Sequence, residues 1–215
     1  MPRLERGLVN GFIYHVINRG NCGQQIFHDD KEYEIFMELM AEAKAMYDMK
    51  ILAYCLMPNH FHFLLQPAMA KELSKYMQWL MTSHVRRYHS SHGSSGHIWQ
   101  GRFKSFIVES DMHLLTVAGY IEGNPVRAGL VNSARDWRWS SHMARFFENI
   151  LISDFPVELP ENWPEYVNMP LGDKLEKIHQ SILRQSPYGE EEWVLKICRD
   201  HGLESTIREI GRPRK

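Results

Sequence analysis

The sequence has few cysteines and no long apolar run, and both shortages exclude classes of protein. Cys22, Cys55 and Cys198 are widely spaced and form no CxxC pair, which argues against a disulfide scaffold and a structural zinc site. The longest apolar run, 51–57, is about seven residues, far below the roughly 20 that a membrane helix needs. No apolar segment follows the charged N-terminal residues, so we expect no signal peptide and a cytoplasmic protein without a membrane partner.

Net charge is also nearly absent, but the charges are unevenly distributed. The chain has 215 residues, with 25 Lys and Arg against 26 Asp and Glu, which gives a net charge of −1. Residues 71–108 contain six basic side chains against one acidic side chain, and the segments 29–48 and 154–192 on either side are acidic. A basic middle between acidic flanks can hold a polyanion, and solvated helix faces of opposite sign explain the pattern equally well.

Strand and helix signals alternate through the first part of the chain. Short runs of β-branched and aromatic residues predict strands at 12–18, 50–57, 60–66 and 104–109. Apolar residues spaced by three and four predict amphipathic helices at 30–49, 73–89 and about 110–123. This order predicts an α+β fold, with a ferredoxin-like antiparallel sheet and helices packed on one face.

The composition changes beyond about residue 150, because prolines accumulate at Pro156, Pro160, Pro164 and Pro170. We predict a first domain at 1–148 and a mainly helical or irregular C-terminal extension at 149–215. The extension is expected to hold a linker, a short helical segment near 190–200 and a basic tail at 211–215.

His60, Phe61 and His62 form the sharpest local motif, on a predicted strand. Side chains alternate across a strand, so the two histidines share one face while Phe61 points to the other. Imidazoles at i and i+2, roughly 7 Å apart at the backbone, can bind one divalent ion together. The motif alone fits two sheet histidines without an ion about as well.

Tyr120 and Asn124 form the second motif. They are four residues apart, which places them on one helix face, although Asn124 precedes Pro125 and we expect the helix to end there. A tyrosine hydroxyl beside a metal-polarised phosphate can attack phosphorus, and an amide oxygen is a suitable ligand for the same ion. Without other support, a lone helix tyrosine is usually a packing residue.

Four separated motifs carry a resemblance to a known family. They are Tyr14–Gly20 (YHVINRG), Met57–His62 (MPNHFH), Trp99–Ser105 (WQGRFKS) and Tyr120–Leu130 (YIEGNPVRAGL). With these motifs in order over roughly residues 1–145, the chain resembles the REP-associated tyrosine transposases, a branch of the single-tyrosine HUH transposases (IS200-like transposases). The resemblance implies a ferredoxin-like nuclease domain that binds single-stranded DNA beside a hairpin.

The resemblance also implies metal-dependent nicking and rejoining of DNA at hairpin-forming repeats, through a 5′-phosphotyrosine. Tyr120 matches the nucleophile of the family, and His60 and His62 match its metal ligands. Asn124 matches a polar third ligand. The implied cofactor is Mg²⁺ or Mn²⁺, and the implied partner is single-stranded or hairpin DNA, which would place the protein at the nucleoid when bound. Monomer and homodimer both remain open.

Several basic residues are candidate DNA contacts, and each also has a structural explanation. Arg102 and Lys104 adjoin aromatic residues, a mix that suits a phosphate backbone with a stacked base or a half-exposed strand. Arg127, just past the tyrosine helix, can reach a phosphate or pair with an acid such as Glu122. The remaining candidates are Arg86 and Arg87 on the second helix, and Arg212 and Arg214 in the tail, which resembles the Gly-Arg-Pro core of minor-groove-binding segments.

The other histidines carry weaker signals. His15 can approach the site if its strand pairs with the strand of His60, and we favour a structural role for it. The histidines near the serine- and glycine-rich loop at 90–96 have no regular spacing and are assigned no role; they are His84, His89, His92 and His97.

Two alternatives to the transposase interpretation remain. The first is a protein of the same fold that binds hairpin DNA without cutting it, for example as a repressor. The second is an unrelated metalloenzyme built on His60 and His62, which the lack of a nearby carboxylate ligand disfavours. Loss of cleavage with retained hairpin binding on changing Tyr120 to Phe would favour the transposase over the silent binder.

Overall fold

The computed structural model describes residues 8–146 and 151–208. Its strands are β1 (Ile13–Arg19), β2 (Met49–Met57), β3 (His60–Pro67) and β4 (Lys104–Val108). The helices in these ranges are α1 (Asp30–Met46), α2 (Ala70–His92), α3 (Met112–Glu122), α4 (Asn124–Arg127), α5 (Ser141–Ala144), α6 (Trp163–Asn168), α7 (Asp173–Arg184), α8 (Glu191–His201) and α9 (Glu204–Ile207). None of these helices is long and apolar enough to cross a membrane. The candidate tail residues Arg212 and Arg214 lie outside the described residues.

Local sequence signals explain where α1 and α2 begin and end. Asp29 caps α1, because its side chain accepts a hydrogen bond from the Glu32 backbone N–H at 3.0 Å. α2 ends at Gly93, whose φ of 57° lies in the left-handed region that glycine adopts at little cost. This glycine lies beyond the predicted end of the helix, so α2 is longer than the predicted 73–89.

The strands form one sheet in the order β2-β3-β1-β4, with every neighbouring pair antiparallel. This order and the β-α-β-β-α-β sequence of elements are ferredoxin-like, so the predicted α+β class is confirmed. Ile17 of β1 lies opposite His62 on one side and Lys104 on the other. Directly opposed residues share a face of the sheet, so these three side chains form one row.

Helices cover both faces of the sheet, whereas the sequence predicted helices on one face. Val16, Phe61 and Phe63 pack in a core shared with α1 and α2. Leu64 and Phe106 pack on the opposite face, in a second core shared with α3. The reason for the difference is α3, whose residues 114–122 are all buried, since a helix that is apolar on all sides needs cover on all sides.

The C-terminal segment supplies part of that cover. Trp163 and Val167 of α6 and Ile178 of α7 belong to the same core as α3. The backbone of Tyr188 then forms hydrogen bonds of 2.8 and 2.9 Å with the end of β4, and Ile197 of α8 joins the core on the opposite face. Residues beyond 150 therefore pack against both faces of the sheet. The division of the chain at residue 148 stays a prediction.

Candidate active site

Two histidines of β3 lie on the sheet face that α3 covers. The ring centroids of His60 and His62 are 5.0 Å apart, with planes at 81°. His62 is only 2% exposed and His60 is half-buried. Nδ1 of His60 lies 2.7 Å from Oδ1 of Asn59, and because that oxygen can only accept, Nδ1 carries the proton. Nε2 of His60 therefore keeps its lone pair for a ligand.

His15 of β1 contacts His62 directly, although the sequence favoured a structural role for it. Nε2 of His15 and Nδ1 of His62 are 2.9 Å apart, and the two rings are stacked with centroids 5.0 Å apart. When His62 donates through Nδ1, its Nε2 keeps the lone pair that a metal ion requires. His15 is thus placed to set the tautomer and orientation of His62.

Burial keeps all three rings neutral. It lowers the pKa of His15 to about 3. Burial, followed by the charge of Arg19, lowers the pKa of His60 to about 4. The pKa of His62 is lowered well below its ordinary value, first by burial and then by repulsion from His60 and His15. Neutral imidazoles are the form that binds divalent ions.

Tyr120 of α3, the helix that covers this face of the sheet, contacts His62 and His15. Its ring centroid lies 5.5 Å from that of His62 at 89°, and the residue is 4% exposed. The guanidinium of Arg127 lies 4.5 Å from the ring centroid and donates a hydrogen bond to the Tyr120 backbone carbonyl. Burial raises the pKa of the Tyr120 phenol, and Arg127 opposes part of that rise. The ring is thus held rigidly, and its hydroxyl is protonated at neutral pH.

Asn124 lies where the tyrosine helix ends, as its position before proline predicted. α3 stops at Glu122, and Asn124 begins the short helix α4. Its Nδ2 donates to the carbonyls of Tyr120 at 3.2 Å and of Ile121 at 3.4 Å. Within the described ranges no group donates to Oδ1 of Asn124, so this oxygen is available as a ligand.

Two residues near the site went unassigned in the sequence. The charge of Arg19, which lies opposite His60 in the sheet, contributes to the lowered pKa of that histidine, and it places a cation beside the site. The ring of His179 on α7 lies 5.9 Å from that of Tyr120. Arg19 lies inside one of the quoted motifs, whereas nothing in the local sequence signals His179, because α7 reaches the site only through the fold.

Arg127 does not pair with Glu122, which was one of its two sequence interpretations. The Glu122 carboxylate is fully buried and accepts hydrogen bonds from four side chains: Ser141 at 2.6 Å, Arg145 at 2.8 Å, Trp163 at 2.8 Å and His142 at 3.2 Å. Burial alone would raise the pKa of Glu122, and Arg145 with the hydrogen-bond donors outweighs it, so the pKa is lowered. This network joins α3 to α5 and α6.

The candidate DNA-binding residues lie in several different places. Lys104 is exposed and shares its row of the sheet with His62. Arg86 and Arg102 line a groove of about 640 Å³ between α2 and the segment 96–103, together with Trp99 and other side chains. This groove lies on the side of the sheet that α2 covers.

Arg87, the remaining described candidate, lies on the exposed surface of α2. It forms ion pairs with Glu38 at 3.4 Å and with Glu42 at 3.0 Å on α1. Exposed pairs of this kind contribute little stability, so they leave the DNA-binding prediction for Arg87 open.

The donor set of the site fits a divalent ion. His60 and His62 each present a nitrogen lone pair in the tautomers described above, and Asn124 has an oxygen available. Imidazole nitrogen suits transition metals such as Mn²⁺, and amide oxygen suits Mg²⁺ and Mn²⁺. The structure brings His60 and His62 together, and metal binding by these two residues with Asn124 stays a prediction.

The chain belongs to the IS200-like transposase family, since the family model described as "Transposase IS200 like" matches residues 8–124. A protein of Haemophilus influenzae described as a REP-associated tyrosine transposase is 30% identical over 106 residues, which are 44% of this chain and 60% of that protein. The chain thus spans less than two thirds of the length of this relative.

A solved structure shares the fold. The structure of a REP-associated tyrosine transposase bound to a REP hairpin matches with a TM-score of 0.57 and 20% identity, over 74% of this chain and 95% of that chain. This neighbour supports the fold, and the family match with the Haemophilus relative confirms the resemblance that the four sequence motifs predicted.

Proposed function

We propose that this protein nicks and rejoins single-stranded DNA beside hairpin-forming repeats, through a 5′-phosphotyrosine on Tyr120. The observation that supports the proposal best is the contact between Tyr120 and His62, whose ring centroids are 5.5 Å apart. His60 lies beside this pair on the same sheet face. A tyrosine and two neutral histidines from separate parts of the chain therefore lie side by side, which supports a role for Tyr120 as nucleophile beside a metal site.

The groups around Tyr120 restrain its ring and its backbone. Arg127 fixes the ring and the backbone carbonyl, and Asn124 donates to the same carbonyl. Because burial raises the pKa of the phenol, the hydroxyl must lose its proton as the bond from Tyr120 Oη to phosphorus forms. In the same displacement the bond from phosphorus to the 3′ oxygen breaks, and that oxygen takes up a proton.

Rejoining is the reverse reaction. A DNA 3′-hydroxyl attacks the phosphotyrosine, restores the phosphodiester and releases the Tyr120 hydroxyl. The covalent intermediate stores the energy of the broken bond, so the cycle needs no nucleotide cofactor. A divalent ion, Mg²⁺ or Mn²⁺, held by His60, His62 and Asn124 would polarise the scissile phosphate and stabilise charge on its oxygens.

The surrounding cations support a path for the DNA strand. Lys104 lies on the same sheet face as His62, and Arg19 adds a second cation beside His60. Arg86 and Arg102 line the groove that also contains Trp99, a combination suited to a phosphate backbone with a stacked base. We assign hairpin or single-stranded DNA to these surfaces, with Arg127 at the tyrosine and with Arg87, Arg212 and Arg214 as further proposed contacts.

A cleavage assay on a denaturing gel tests the proposed chemistry. Labelled single-stranded hairpin DNA from the host's own repeats is incubated with the protein, with Mn²⁺ or with EDTA. We expect a covalent protein–DNA band that requires the metal. Tyr120→Phe should lower the cleavage rate at least about a thousandfold, as removal of a nucleophile does, while hairpin binding is retained.

Tyr166→Phe provides the matched control, because Tyr166 packs near α3 without joining the cluster around His62. Cleavage by the Tyr120→Phe protein at the wild-type rate would show that Tyr120 is not the nucleophile. Tight hairpin binding by the wild type without any metal-dependent cutting would favour the silent DNA-binding alternative. Unchanged cleavage in a protein with both His60→Ala and His62→Ala would show that these histidines do not bind the catalytic metal.

A further inference from the structure

A second group of metal-ligating side chains lies where the start of α1 meets the end of α2. His28 precedes α1, Glu32 lies in its first turn, and His92 is the last residue of α2. One ligand atom from each residue lies within 4.8 Å of the other two. The closest pair, His92 Nε2 and Glu32 Oε1, is 3.0 Å apart. Two ligands of a tetrahedral zinc ion, each bound at about 2.0–2.2 Å, are separated by roughly 3.4 Å.

Two of these side chains are oriented by other groups. Oε2 of Glu32 accepts a hydrogen bond from the His28 backbone N–H at 2.6 Å, while Oε1 is turned towards His92. Nδ1 of His92 lies 3.0 Å from the carbonyl oxygen of Tyr88, to which it can donate, and 3.0 Å from the Ser91 hydroxyl. A hydrogen bond from the far ring nitrogen to a backbone carbonyl is the usual support of a metal-binding histidine.

The second nitrogen of His92 then faces an acceptor. With the proton on Nδ1, Nε2 of the neutral ring carries a lone pair, and it points at a carboxylate oxygen that carries lone pairs as well. In that tautomer, a cation between the two atoms makes the contact favourable, and both atoms are placed to bind it. The ring centroid of His28 lies 5.6 Å from that of His92, and its Nε2 lies 3.1 Å from the Tyr88 hydroxyl, so His28 is close enough to add a third ligand.

We propose that His28, Glu32 and His92 bind a zinc-type divalent ion, with water completing its coordination. Two imidazoles and one carboxylate are a donor set that suits zinc. The side chains of Glu32 and His92 are 16% and 32% exposed and His28 is exposed, so an ion has access from solvent. The bound ion links the start of α1 to the end of α2. This structural role does not depend on the function proposed for the candidate active site.

A similar cluster at the start of α3 serves another purpose. Oδ1 of Asp111 accepts from the His113 backbone N–H at 2.7 Å, and Oε2 of Glu109 accepts from the Glu190 backbone N–H at 2.7 Å. These carboxylates cap a helix and hold a loop, and the cluster offers a single imidazole. It therefore serves as a control for the proposed zinc site.

Zinc titration of the full-length protein against a chromophoric zinc indicator, with metal analysis after dialysis, tests the proposal. His28→Ala with His92→Ala should remove one zinc per chain and weaken binding at this site at least about a hundredfold. That loss exceeds the typical effect of removing an outer hydrogen-bond partner, which is 10–100-fold. His97→Ala, at an exposed histidine of the adjoining loop, should bind zinc as the wild type does.

Two further variants separate the sites. His60→Ala with His62→Ala should leave this zinc bound, and His113→Ala should also leave it bound. Unchanged zinc content and affinity in the protein with both His28→Ala and His92→Ala would overturn the proposal. Loss of zinc only in the His60→Ala, His62→Ala protein, or only in the His113→Ala protein, would also overturn it. Circular dichroism verifies folding. If the double variant does not fold, Glu32→Gln replaces it, and wild-type zinc affinity in that protein overturns the proposal.

Discussion

His15 is a buried histidine that contacts both His62 and Tyr120. Its nitrogen lies 2.9 Å from Nδ1 of His62, and its ring centroid lies 6.1 Å from that of Tyr120. The contact gives His15 a positioning role towards a proposed ligand rather than a role in packing alone. Arg127 has a comparable role towards the tyrosine, because it holds the ring and the backbone carbonyl of Tyr120 at once.

Replacing His15 should weaken the metal dependence of cleavage more than DNA binding. His15→Leu removes the hydrogen-bond partner of His62 but fills most of the space. We expect the Mn²⁺ concentration for half-maximal cleavage to rise about 10–100-fold, the usual effect of losing such a partner, with hairpin affinity unchanged. His15→Gln, which restores a hydrogen-bonding group, should recover part of the loss. Equal metal dependence in His15→Leu and wild type would show that His15 only packs.

At the scale of elements, α3 is joined to the rest of the chain by the buried carboxylate of Glu122. Side chains from α5, α6 and the residue after α5 all donate to it. A buried carboxylate is stable only when it is paired and hydrogen-bonded, so this network requires α3, α5 and α6 to pack together. Since α3 also carries Tyr120, the network indirectly fixes the position of the candidate nucleophile.

Glu122→Gln should therefore destabilise the protein by about 3–5 kcal/mol, because Arg145 is left without its charged partner in a buried site. Glu72→Gln, which breaks the exposed pair with Lys75, should cost at most about 0.5 kcal/mol. Urea unfolding of both variants at pH 7 measures the difference. Equal stability of the two variants would contradict the role assigned to the network.

The direction of the Glu122 pKa also has a consequence for stability. The folded-state pKa is lowered, so the stabilisation is present above the ordinary carboxyl pKa and is lost as the pH falls through the folded value. Glu122→Gln should therefore lose less stability on acidification than the wild type.

At the scale of the whole molecule, the histidines of the described residues range from exposed through half-buried to fully enclosed. His84 is an enclosed example: it is 3% exposed among Phe27, Phe36 and Trp99. Burial lowers its pKa to about 3, and its Nδ1 has no hydrogen-bond partner among the residues that the structure describes. The unfolded chain takes up a proton at this position below its ordinary pKa of 6.5, whereas the folded chain does not.

Stability should therefore fall as the pH drops from about 6.5 towards 3, by about 1.4 kcal/mol per pH unit for each histidine of this kind. His84→Leu should flatten that dependence by the contribution of one histidine. The urea concentration at the midpoint of unfolding, measured at pH 7.0, 5.5 and 4.5, gives the pH dependence of stability. His97→Leu, at an exposed position, should leave the slope as in the wild type. If stability depended on pH equally in the wild type and in His84→Leu, the lowered pKa of His84 would be refuted.

Local patterns were sufficient for much of the fold. Alternation placed His60 and His62 on one face of β3, and periodicity placed Tyr120 on a helix, because both depend only on the geometry of one element. The antiparallel α+β class followed from the order of the elements and is confirmed by the sheet order. The cover on the second face was not predicted, because local periodicity does not show which face α3 packs on, and the segment that adds to the cover, including Trp163 and Ile178, lies far along the chain.

The sequence by itself determined the strands and long helices of the first part of the chain, the family and the candidate chemical groups, since these depend on neighbouring residues and on motif order. Only the tertiary structure decided which groups meet. It brought His15 to His62 across two strands and His179 to Tyr120 from a distant helix, and it joined His28 to His92 at the ends of two helices. The physical reason is that side-chain contacts across elements depend on strand register and helix packing, which no local pattern specifies.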